Sequence, residues 1–151
     1  MALLVQKPDG TYASTCALCQ ESLADPIFAT SHFIRDPQHD LHPFSDAAMH
    51  WSCYAAWPEQ ARFAALYFES IASTAIENEL WPVVHRSSKA LVRYGVLVQE
   101  LSVLLRATGS DLRVPENEWE DWLNDRWREQ VRHSLEETAL RDALGELRQI
   151  D

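Results

Sequence analysis

The most regular hydrophobic patterning in the chain lies between Trp81 and Pro115. There WPVVHR, ALVRYGVLV, ELSVLLRA and LRV alternate with short polar breaks, the last of them Thr108-Gly109-Ser110-Asp111. Runs of β-branched and aliphatic residues at this spacing predict strands joined by tight turns, hence a small antiparallel sheet. On either side the period changes from two to about 3.6. Phe63, Leu66, Tyr67, Ser70, Ile71 and Thr74 recur at three- and four-residue intervals and predict a helix from about 58 to 79, with Pro58 in its first turn. After Pro115, the positions Trp119, Trp122, Leu123, Trp127 and Val131 share one helical face. Ser134 with Glu137 reads as a capping box opening a last helix through Leu140, Leu144 and Leu147.

The first third is patterned differently. LLVQK and TYAST flank Pro8-Asp9-Gly10, which predicts a hairpin over residues 3 to 15. IFATSHFI (27 to 34) has strand composition, residues 36 to 43 form a polar loop, and Ser45 is placed to cap a helix beginning at Asp46 that carries His50 and Cys53. The fold class expected is α+β: a metal-binding module with its following helix over 1-80, then the sheet and C-terminal helices over 81-151, packed on the first unit.

Cys16-x2-Cys19, a gap of 30 residues and His50-x2-Cys53 form the strongest chemical signal. Each pair can grip one ion from one side, and two pairs close a tetrahedron around it. Three sulfurs and one imidazole suit Zn2+, and four protein donors leave no open position, so one structural zinc is expected and no catalytic residue is assigned. All 3 Cys of the chain fall inside the motif. A redox pair at Cys16 and Cys19 would leave His50 and Cys53 unexplained. His32, His39 and His42 lie in the gap, and one of them could replace His50 as ligand.

This arrangement, Cys-x2-Cys, a hairpin-like stretch and His-x2-Cys on a helix, resembles the treble-clef zinc-finger fold, and its ligand set is similar to the first half of a LIM-type module. The resemblance covers roughly residues 10 to 65. It departs from LIM modules in its longer gap and in having no second Cys/His set. The treble-clef family includes adaptors, nucleic-acid binders and His-metal nucleases, so it implies a fold more than an activity. The nuclease members place a catalytic His on the hairpin, which implies His32 as a general base in an alternative reading of this chain as a nuclease.

Charge decides among these classes. With 13 basic and 23 acidic side chains the formal net charge is −10, which repels a phosphate backbone unless a basic patch is concentrated somewhere. The nearest approach to one, Arg86, Lys89 and Arg93, is spread over a strand-rich segment. Nuclease and nucleic-acid-binding regulator are therefore the weaker alternatives. The expected function is a non-enzymatic, zinc-stabilised protein–protein interaction or adaptor protein, neutralising or regulating a basic partner. Trp51, Tyr54 and Trp57 complete the small metal-bound core in this reading, with an exposed docking patch as the alternative. The acidic stretch ENEWEDWLNDRWRE (116 to 129) is a solvated helix face or a surface for a basic partner. The apolar stretch from Ala2 to Val5 is too short for a signal-peptide core, and no membrane span is expected. A cytoplasmic location follows as the expectation, favouring thiolate ligation over disulfides.

Overall fold

The computed structural model describes residues 4–151. It is a mixed structure of helices with two small antiparallel sheets, and it divides into two compact units, the first ending at Phe63 and the second running from Ala64 to Asp151. No helix among the described residues is long and apolar enough to cross a membrane.

In the first unit the expected hairpin forms around the turn at Gly10, whose φ of +85° is a conformation that only glycine adopts without strain. It is short: a bridge pairs Gln6 with Tyr12, and the Ala13 amide donates to the Val5 carbonyl at 2.9 Å. Leu3, the first residue of that expected hairpin, lies outside the described residues. The second arm then pairs with residues 22 and 23 around the Cys16 to Cys19 turn. Strand β1 is Ile27–Ala29, much shorter than the expected 27 to 34, and it pairs with β2, Ala48–His50. Between them the chain makes a 3-10 turn at His42–Phe44.

The helix expected from Asp46 is not there. Residues 48 to 50 are strand, and helix α1 is Trp51–Ala56, with His50 at its N-cap. Ser45 caps nothing. Its buried hydroxyl accepts the Phe33 and Ile34 amides at 2.9 and 3.0 Å, holding the loop across from it. Strand wins locally because three residues of pairing with β1 satisfy backbone groups that a helix would have to leave uncapped. The core is largely aromatic: Phe28 stacks on Tyr54 with ring centroids 3.7 Å apart, and Trp51 meets both edge-on. Trp51 and Tyr54 are fully buried, so these aromatics are core and not an exposed docking patch.

Helix α2, Gln60–Ala75, is shorter than the expected 58 to 79. Its buried positions are Gln60, Phe63, Ala64, Tyr67, Phe68, Ala72 and Ala75, so the face is turned by about one residue from the expected one and Thr74 is exposed. The alanines, which carry little hydrophobic weight in a pattern search, are what permit close packing on that side.

The second unit contains the predicted sheet: β3 (Val83–Arg86), β4 (Ala90–Gly95), β5 (Glu100–Leu105) and β6 (Asp111–Pro115), in spatial order 3-4-5-6 with every neighbour antiparallel. The edge strands alternate buried and open positions, while the central β4 and β5 have near-continuous buried runs. Such runs mean that both faces are covered. One face presents Ala90, Val92, Val103, Leu105, Leu112 and Val114 to Trp122, Trp127, Leu140, Leu144 and Leu147. On the other face Leu91 and Leu104 are buried, and the α2 residue Glu69 pairs with Arg86 and Arg106.

From Glu116 to Gln130 the chain is helical throughout but changes pitch. A 3-10 turn (Glu116–Glu118) leads to α3 (Trp119–Asp121), a π-helical segment (Trp122–Arg126) and α4 (Trp127–Gln130). The last helix, α5, is Ser134–Leu147, and its cap is not Ser134. His133 occupies the N-cap and its Nδ1 accepts the Leu135 amide at 3.0 Å, while buried Glu136 accepts the Arg132 amide at 2.9 Å. No reciprocal box forms: the Glu136 carboxylate takes the amide and, at 2.9 Å, the guanidinium of Arg132, one residue before the cap, while Glu137 pairs with Arg141 at 3.0 Å.

Candidate metal centre

Three short pieces of backbone bring the donors together. The turn between Thr15 and Ser22 carries Cys16 and Cys19, closed by the Cys16 amide to the Glu21 carbonyl at 2.8 Å and the Gln20 amide to the Cys16 carbonyl at 2.9 Å. The Ala17 amide donates to the Ala48 carbonyl at 3.0 Å, which docks this turn on β2. β2 delivers His50 and α1 delivers Cys53 one turn later. His50 is therefore a strand-end residue at the helix N-cap, not a helical one.

The result is a cluster in which the Sγ atoms of Cys16, Cys19 and Cys53 and a ring nitrogen of His50 all lie within 4.8 Å of one another. His50 Nδ1 is 3.4 Å from Cys19 Sγ and 3.8 Å from Cys53 Sγ. A tetrahedral ion with bonds of about 2.0–2.3 Å has donor–donor edges of roughly 3.3–3.8 Å, which the two His50 distances match, and the widest separation, within 4.8 Å, would have to close slightly around an ion. The four residues fit a single metal ion, and they would hold it with no position left for water or substrate.

The imidazole is also held in the right tautomer. Its Nε2 lies 3.0 Å from the Ser22 carbonyl oxygen, which can only accept, so Nε2 carries the proton and Nδ1 turns its lone pair toward the sulfurs. The His50 backbone amide points at Cys16 Sγ, 3.4 Å away. Burial would raise the Cys16 thiol, but amides of Cys19, His50 and Leu18 outweigh it and bring the group down to about 7. Burial pushes the Cys53 thiol the other way, to about 11, reinforced by hydrogen bonding to Cys19 and by the charge on Cys16. Three thiols this close cannot all ionise beside one another without a cation among them.

Among the described residues no other group of three His, Cys, Asp or Glu side chains is gathered in this way. The gap histidines are elsewhere. His39 Nδ1 accepts the Leu41 amide at 3.1 Å, and exposed His32 stands with its ring 6.0 Å from that of His42. The gap itself is tied down by Arg62, whose two terminal nitrogens reach Asp40 at 2.7 and 3.0 Å and whose hydrogen bonds hold the Asp40 carboxyl below its usual range. The four residues singled out in the sequence, Cys16, Cys19, His50 and Cys53, are the ones the fold brings together. Sequence reasoning missed the Ser22 carbonyl that orients His50, which is a backbone group and leaves no side-chain signature. No protein-family model matches the chain, and no curated protein or solved structure matches it either.

Proposed function

We propose that this chain is a zinc-stabilised adaptor of treble-clef type, a non-enzymatic protein whose acidic surface engages a basic protein partner. The observation that carries it is the closed Cys16, Cys19, His50, Cys53 cluster seated among fully buried aromatics. A donor set of three sulfurs and one imidazole selects zinc over the hard cations, and full protein coordination suits a structural role rather than catalysis. The order of parts, a two-Cys turn, two short antiparallel strands and a helix that follows His50, supports the treble-clef reading. The net charge of −10 turns the surface toward a positively charged partner and away from nucleic acid.

The test has two arms. Elemental analysis of the purified chain is expected to return one zinc per molecule, and immobilised chain is expected to retain a basic protein from a lysate of its native cell. Divalent-metal-dependent cleavage of DNA or RNA that His32→Ala abolishes would overturn the adaptor reading in favour of a nuclease.

A further inference from the structure

The second unit contains a cavity of about 270 Å³ between the sheet and the helical region that follows it. Its walls are Val84 of β3, Tyr94 of β4, Leu101 of β5, Trp119 and Ile150. The two charged side chains that line it, Glu116 and Asp151, are both acidic. A volume somewhat below the range of cofactor and drug sites suits one long side chain better than a whole small ligand.

The charge bookkeeping of this unit is uneven. Every basic side chain from Arg86 to Arg141 is engaged in an ion pair within the unit. Among the described residues, no basic group stands within ion-pair distance of Glu116, Glu120, Asp121 or Asp151. Of the carboxylates of this unit with no ion pair among the described residues, Glu116 and Asp151 line the cavity, while Glu77, Glu79, Glu120 and Asp121 do not. Glu116 is nevertheless fixed, because the Tyr94 hydroxyl donates to its Oε2 at 2.8 Å. Trp119 is fixed as well, stacked on Trp122 with ring centroids 5.4 Å apart.

An apolar and aromatic slot with a positioned carboxylate at its edge is complementary to a side chain with a hydrocarbon stem and a cationic head. The stem would lie against Val84, Leu101 and Ile150, and the head would meet Glu116 with the faces of Tyr94 and Trp119 beside it. We infer that this cavity receives a lysine or arginine side chain of a basic partner protein. A second copy of the chain is a poorer occupant, since ten of its 13 lysines and arginines are paired internally and its net charge is also −10. This inference rests on the adaptor reading for the identity of the partner as a protein, and on the cavity alone for its chemistry.

The experiment titrates the zinc-loaded full chain with a short synthetic peptide alternating lysine, arginine and glycine, and reads the Trp119 indole and Tyr94 signals by NMR. A peptide with glutamate in place of the bases is the control. The basic peptide is expected to shift both signals, Glu116→Gln to weaken binding by about threefold to tenfold, and Glu79→Gln, in a separate acidic stretch, by less than about twofold. Val84→Arg, which brings a cation to the same wall, is expected to abolish the shifts. Equal weakening by Glu116→Gln and Glu79→Gln, perturbation confined to residues away from Trp119, equal binding of the acidic peptide, or no binding would each overturn the site. If native-cell capture retains a basic protein and Glu116→Gln retains it equally well, the cavity is wrong and the adaptor reading survives. If capture retains nothing while the peptide still seats with Glu116 sensitivity, the reverse holds.

Discussion

The two units of this chain are built on opposite principles. The second has a four-stranded meander whose one face alone contributes seven buried aliphatic positions to a core shared with two tryptophans and four leucines of its helices. The first has strands of three residues, a helix of six and a long irregular segment held by single hydrogen bonds such as those to Ser45. A unit of roughly 60 residues on its own buries too little surface to be comfortably stable. A four-donor zinc site contributes about 10–16 kcal/mol of apparent binding free energy, more than the whole stability of most domains. The difference teaches that core size and ligand count are interchangeable sources of order, and that each unit should fail by its own route.

The largest effect should therefore come from the donors. Cys16→Ser, or prolonged chelation, is expected to unfold the first unit outright while the second keeps its dispersed amide spectrum; a chelated chain that retains the ordered signals of Trp51 and Tyr54 would contradict the comparison. Acid should do the same selectively. Thiolate and imidazole ligands must shed protons to bind, so lowering the pH favours metal release, and zinc loss measured with a chromogenic indicator should coincide with loss of the first unit ahead of the second. Leu140→Ala, at a fully buried position of the second core, should cost about 2–5 kcal/mol by denaturant titration and leave the zinc content untouched. Glu136→Gln keeps the shape of a fully buried carboxylate but loses its charge-assisted bonds to Arg132, for a cost of about 1.5–3 kcal/mol. At the small end, His133→Ala removes only the cap of α5, for about 1 kcal/mol, and refines the ranking of contributions inside the second unit.

What could be read from the sequence divides along the same line. The meander was legible in outline because its runs are rich in β-branched residues, although the apolar VLV after Gly95, read as strand, is the exposed β4–β5 turn; Trp119, Trp122, Leu123 and Trp127 kept one face even though the helix changes pitch beneath them. The ligand pairs were legible because two-residue spacing is a local property. Strand β2 was not: Ala48–His50 is extended because of its pairing with Ile27–Ala29 and the docking of Ala17 on it, and neither partner is near in sequence. Ser45 looked like a cap for the same reason, since its true acceptor role depends on Phe33 and Ile34 being folded back across it. The register of α2 was misread because its buried side is made partly of Ala64, Ala72 and Ala75. His133 gave way to Ser134 in the reading because serine is the commoner cap, and only the imidazole's orientation reveals the displacement.

The separation of the donors along the chain sets the order in which the metal centre can assemble. Cys16 and His50 are 34 positions apart, yet each belongs to a pair spanning three. Closing a loop of about 30 residues costs about 3 kcal/mol of chain entropy beyond a fixed term, whereas gripping an ion with two neighbouring side chains costs almost none of it. An ion held by this cluster would load in two strokes, first onto one local pair in a still-flexible chain and then, as β1 finds β2, onto the other. On this path the slow stroke is the meeting of two three-residue strands, so the speed with which an ion would be taken up depends on five residues that would not touch it, together with His50 itself.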